Sequence, residues 1–181
     1  FTTFDASLIL YRSADDPRRA FFQRADYALT PTRDSLRTFG FYHQSWETSR
    51  RFRALAPWLA LRHYGADRLA RNIEFNVECA AWLGHRVERE SWLELATAPS
   101  LSICTFRVRP PGATDREADR VTETVRERLE RGGDFFLSAA NIDGRPVLRV
   151  CVLSPHTSAE TIEALVARAS ALVAKNAQVF T

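Results

Sequence analysis

The sequence predicts an α/β protein whose C-terminal part is an α+β layer, a mainly antiparallel sheet covered on one side by helices. Three observations predict it. From Trp92 onward the apolar pattern reads strand, strand, helix, strand, strand, helix. Asp143-Gly144, a two-residue hairpin signal, separates two of those strands. The helical stretches carry apolar stripes, so each must bury one face.

Leu8 to Arg12 reads as a short apolar strand, followed by a turn at Asp15-Asp16-Pro17 and a brief helix over Arg18 to Arg24. Residues 25–48 show no sustained period and contain Pro31, Phe39, Gly40, Phe41, Tyr42 and Trp46. So long a segment inside a compact domain is functional or disordered, and its aromatics predict a loop that docks onto something. Thr48 or Ser49 offers an N-cap for a helix through about Tyr64, which Pro57 is expected to kink or restart. Gly65 ends that helix and Asp67 opens a longer one, where Leu69, Ile73, Val77, Ala80, Leu83 and Val87 form one buried stripe.

Leu101 to Val108 is the next strand, stopped by Pro110-Pro111-Gly112. The helix after it buries Ala118, Val121, Val125 and Leu129 and stops at Gly132-Gly133. Phe135 to Ala139 and Val147 to Leu153 are the hairpin strands. The last helix carries Ile162, Leu165, Val166, Ala169, Leu172 and Val173 on one face.

A chain of 181 residues, 45% hydrophobic and 26% charged, can build a globular core of its own or be a piece of a larger domain. It contains no Met, so Phe1 is not expected to be a natural start, and the chain reads as cut or partial. The net charge of +3 is small, and acids alternate with bases, as in Asp115 to Arg120. That is a solvated helix face, which argues against a nucleic-acid partner. No apolar run approaches the roughly 20 residues that cross a bilayer, and nothing resembles a signal peptide. The expectation is a cytoplasmic protein without a membrane partner. Cys79, Cys104 and Cys151 sit in apolar runs and read as buried free thiols.

Arg149 interrupts the apolar run Val147 to Leu153 and admits two readings. It is a buried ion pair, or it is an anion receptor whose planar fork suits a carboxylate or phosphate. Taken alone, Tyr27 is an ordinary packed or solvated residue and Ser49 an ordinary cap. His43, His63, His85 and His156 do not cluster at metal-ligand spacing, so no metal site is expected, and neither residue order nor local motif argues for a Ser-His-Asp or Cys-His arrangement.

The run Trp46-Glu47-Thr48-Ser49-Arg50-Arg51-Phe52-Arg53, the helix Trp58-Leu59-Ala60-Leu61-Arg62-His63-Tyr64-Gly65 and the strand Val147 to Pro155 resemble the group II pyridoxal-phosphate decarboxylases. That family acts on aromatic amino acids, histidine, tyrosine and glutamate. The resemblance implies the C-terminal part of a fold-type I enzyme with pyridoxal 5'-phosphate as cofactor. Residues 1–54 would end the large cofactor-binding domain and carry a catalytic loop at about 25–48. Residues 55–181 would form the small C-terminal domain with its linking helices.

Tyr27 lies 22 residues before Ser49 and the Arg50-Arg51 doublet. The family's mobile loop places at that spacing the tyrosine that protonates the carbanion left after decarboxylation. Ser49 matches a position, often Gly, where one subunit's backbone approaches the other's substrate pocket; Ser there goes with phenolic substrates. Arg149 matches an arginine that faces the active site and, in the glutamate branch, holds the substrate's α-carboxylate. The Trp58–Gly65 helix looks more like the aromatic branch.

The family's Schiff-base lysine would lie a few residues upstream of Phe1, and Lys175 is the only lysine here. The isolated chain is therefore expected to be inactive, its cofactor held by an N-terminal portion, with a homodimer as the working form. A rival expectation is a noncatalytic interaction or regulatory module that kept the fold. The absent lysine favours it, as does Pro57, where family members usually have a nonproline residue.

Overall fold

The computed structural model describes residues 5–21, 44–47, 49–133 and 135–177. They fall into two compact units, one within Thr2–His63 and the other within Tyr64–Thr181.

The first unit holds helix α1 (Asp15–Phe21) and nearly all of helix α2 (Leu55–Tyr64). Asp15 and Asp16 occupy the first turn of α1, where carboxylates complement the helix dipole, so the expected turn is the helix's own start. Phe21 packs edge-on against Trp46, ring centroids 5.8 Å apart. The expected strand at Leu8 to Arg12 does not form. A strand exists only by pairing, and no described residue pairs with this run, so Leu8 and Leu10 stand 86% exposed.

Helix α2 also departs from expectation. It begins at Leu55, so Ser49 lies too far upstream to be its N-cap. Pro57 lies in the first turn, where a backbone N–H has no intrahelical acceptor to lose, and so it belongs to the start of the helix. The Trp58 N–H donates to the Ala54 carbonyl at 3.0 Å, closing that turn.

The second unit runs α3 (Ala66–Glu88), β1 (Leu93–Ser100), β2 (Ile103–Val108), α4 (Asp115–Gly132), β3 (Ser138–Ile142), β4 (Arg145–Cys151), α5 (Ala159–Ala177). The sheet is antiparallel throughout, with strand order β1-β2-β4-β3. Its core joins Leu83 and Val87 of α3, Phe106 and Leu148 of the sheet, Val125 and Leu129 of α4, and Leu165 and Ala169 of α5.

The stripe of α3 is buried only in its second half. Ala80, Leu83 and Val87 are sealed, whereas Ile73 is 54% exposed. At about 1.5 Å per residue the helix's 23 residues reach about 35 Å. The longest strand, eight residues, spans only about 26 Å. The helix outruns the sheet it covers.

The hairpin sets the register of β3 and β4. Asp143 and Gly144 both take positive φ, 50° and 76°, as a two-residue type I′ turn requires. Ile142 and Arg145 therefore face each other, and β3 is Ser138–Ile142, later than the expected Phe135 to Ala139. Strand β4 shifts with it to Arg145–Cys151. Strand β2 starts at Ile103 because Leu101, with φ 50°, belongs to the turn after β1.

Helix α4 opens on a capping box. The Glu117 N–H donates to the Thr114 hydroxyl, and the Thr114 N–H donates to the Glu117 carboxylate. It ends at Gly133, and Ala118, Val121, Val125 and Leu129 are buried as expected. Ser158 caps α5, accepting from the Thr161 N–H at 3.4 Å, and the α5 stripe is buried except for Val173, which is half-buried. Among the described residues no helix is long and apolar enough to cross a membrane.

Candidate functional site

Arg149 sits in the middle of β4, directly opposite Thr105 on β2 and directly opposite Ser138 on β3. Thr105 in turn faces Thr97 on β1. Directly opposed residues of antiparallel strands share a face, so Thr97, Thr105, Arg149 and Ser138 form one polar row across all four strands. Their strand neighbours Cys104, Phe106 and Leu148 alternate to the other face and into the core. The Thr97 and Thr105 hydroxyls are hydrogen-bonded at 2.8 Å, and Thr105 is only 7% exposed.

Arg149 is half-buried and has no carboxylate partner among the described residues. The other arginines on and beside these strands do. Arg107, 4% exposed, donates to Asp119 of α4 at 2.5 Å. Arg109 donates to Glu94 at 3.2 Å and to Asp115 at 2.9 Å, and Arg145 donates to Asp115 at 2.5 Å. The hydrogen bond from Arg145, helped by the charges of Arg145 and Arg109, holds the Asp115 carboxyl below its ordinary range. The buried ion pair considered for Arg149 is found at Arg107, which sequence reading passed over. The signal was present: Arg107 interrupts the apolar run of β2 as Arg149 interrupts that of β4.

Ser49 is exposed in the first unit and lines an open groove of about 910 Å³ together with Asp5, Trp46, Glu47 and Arg50 to Arg53. Arg51 pairs with Asp5 at 2.7 Å, Arg53 with Glu47 at 2.8 Å, and Arg50 donates to the Ser45 hydroxyl at 3.4 Å. The Arg53 hydrogen bond draws the Glu47 carboxyl below its ordinary range. Ser49 belongs to the first unit and Arg149 to the second. Tyr27, Phe39, Phe41 and Tyr42 lie outside the described residues.

The three cysteines are free. Cys79 and Cys104 are buried, and burial pushes the Cys104 thiol up to about 12, where it is inert at neutral pH. Cys151 is half-buried and not sealed as expected.

No family model matches the chain. The aromatic-L-amino-acid decarboxylase of Bacillus atrophaeus is 27% identical over 178 residues, which cover 95% of this chain and 36% of the relative. Tyrosine decarboxylase 2 of Arabidopsis thaliana is 32% identical over 144 residues, covering 77% and 25% respectively. This chain is a relative of the group II pyridoxal-phosphate decarboxylases. The crystal structure of Oryza sativa TDC with PLP and tryptamine shares the fold, with a TM-score of 0.77 at 22% identity over 87% of this chain and 33% of that one. The chain matches a C-terminal part of these group II decarboxylases and spans about a third of their length or less.

The residues described here do not by themselves fit the cofactor of that crystal structure. Lys175, the only lysine, is exposed on α5, so no enclosed amine is available for covalent attachment.

Proposed function

We propose that this chain forms the C-terminal part of a pyridoxal-phosphate-dependent decarboxylase of aromatic L-amino acids, which releases carbon dioxide and an amine. The observation that carries the reading is Arg149, a half-buried guanidinium without a carboxylate partner among the described residues, in a sheet whose other arginines are paired. Such a group is a receptor for the α-carboxylate of an amino acid. Pyridoxal phosphate and the lysine that holds it come from another portion of the assembled enzyme, so the isolated chain is inactive. In the assembled enzyme Tyr27 donates its phenolic proton to the substrate's Cα once carbon dioxide has left. Ser49 borders the substrate pocket across a homodimer interface.

The apolar surface supports the need for a covering partner. Leu8, Ile9 and Leu10, and on α2 Trp58, Leu59 and Leu61, are at least half exposed. Large apolar side chains exposed in this number mark surface that a partner covers.

The test is a chimera in which this chain replaces the C-terminal part of the Bacillus atrophaeus relative. Aromatic amino acids are supplied and amines measured by chromatography. Amine formation that falls by orders of magnitude on Tyr27→Phe is the expected result. A folded, cofactor-loaded chimera that forms no amine would overturn the reading in favour of a noncatalytic module.

A further inference from the structure

We propose that Arg53 is a positioning residue for Ser49, its guanidinium clasping Glu47 and Asp5 so that the segment carrying Ser49 is held in one place beside the substrate. The inference rests on the reading of Ser49 given above.

Residues 49–52 lie in no helix or strand, so no backbone ladder fixes them. Side-chain bonds do so instead. The Arg53 Nη1 donates to the Glu47 carboxylate at 2.8 Å, and the Arg53 Nε lies 3.3 Å from one oxygen of Asp5. The other oxygen of Asp5 pairs with Arg51 at 2.7 Å. The four charges form one linked set in the order Glu47, Arg53, Asp5, Arg51, with Arg53 bridging both carboxylates.

Glu47 and Arg51 stand two residues to either side of Ser49. Two residues span at most about 7 Å, so the Ser49 Cα stays within that distance of both anchored neighbours. Arg53 itself precedes α2 by two residues, and its N–H donates to the Arg51 carbonyl at 2.8 Å. The clasp is therefore tied to the start of a helix. An isolated surface pair would hold little, but charges joined in a network hold more. The Glu47–Arg53 link, which closes the segment, is also the most sheltered of the three, its side chains 32% and 37% exposed.

The experiment uses the chimera with Arg53→Gln, Glu47→Gln and Ser49→Gly, alone and combined. It reads kcat/KM for tyrosine, a phenolic substrate, and for tryptophan, an indolic one, together with the denaturation midpoint. Arg53→Gln is expected to lower the tyrosine-to-tryptophan ratio about 3- to 10-fold, the range of one ordinary hydrogen bond, while the midpoint holds. Glu47→Gln should act in the same direction and add little to Arg53→Gln, because both break one link. In the Ser49→Gly background Arg53→Gln should leave the ratio where it is. If Ser49→Gly changes the ratio and Arg53→Gln does not, Arg53 positions nothing and the reading of Ser49 stands. If Arg53→Gln lowers the midpoint, or slows both substrates alike, with the ratio unchanged, the clasp is structural and the proposal fails. A shift in the ratio that persists without the Ser49 side chain would overturn it too. If Ser49→Gly itself leaves the ratio unchanged, the reading of Ser49 fails as well.

Discussion

Gly84 of α3 lies so close to Pro99 of β1 that a Cβ on Gly84 would sit 2.4 Å from the Pro99 Cγ. The contact lets a long helix settle against the edge strand of the sheet. Gly in a helix interior normally costs about 1 kcal/mol relative to Ala, so Gly84→Ala would be stabilising in an open site. Here the overlap is with a stiff ring, and overpacking of this kind costs about 1–3 kcal/mol. Gly84→Ala should therefore lower the urea midpoint, and adding Pro99→Ala should recover much of the loss. A Gly84→Ala chain more stable than wild type would contradict the packing described.

Thr122 ties α4 to the end of β2. Its hydroxyl accepts from the Val108 N–H at 3.0 Å and donates to the Val108 carbonyl at 3.3 Å, in a fully buried position. Thr122→Val keeps the shape and strands both backbone groups, which should cost about 1–3 kcal/mol in chemical denaturation. Thr122→Ser should lose much less. Equal losses for the two substitutions would mean that the methyl, not the hydroxyl, carries the effect.

Glu90 gives a pH dependence with a definite sign. Hydrogen bonds from Arg86 and then from the Trp92 indole, the latter at 2.8 Å, hold its carboxyl below the ordinary 4.5. A group depressed on folding adds stability above its unfolded pKa and loses it as pH falls through the folded value. Wild type should exceed Glu90→Gln in denaturation midpoint at pH 7, and the gap should close as pH drops below about 4.5. A gap that widened in acid would refute this assignment.

The parts of the fold legible in the sequence are those set by local chemistry. The stripes Ala118-Val121-Val125-Leu129 and Ile162-Leu165-Val166-Ala169 repeat at helical spacing, and the structure buries both. Asp143-Gly144 announces its hairpin, but strand limits come from register, so the strand-like Phe135-Phe136 falls just before β3. Thr114 and Glu117 carry the capping-box pattern, which apolar periodicity does not detect. Leu8 to Arg12 has the composition of a strand without a partner among the described residues. The row from Thr97 to Ser138 depends on pairing between strands distant in sequence and could not be read from the chain. The proposed roles of Tyr27 and Ser49 rest on resemblance.

The central claim is that this chain carries the carboxylate-receiving side of a decarboxylase active site, and Arg149→Ala in the chimera tests it most directly. KM and the denaturation midpoint are measured on the same variant. If Arg149 receives the substrate, its loss removes a charge-assisted contact of about 1.5–3 kcal/mol, so KM should rise by about 10- to 150-fold with little change in the midpoint. A stability loss of about 3–5 kcal/mol with an unchanged KM, the mark of a broken buried pair, would contradict the account.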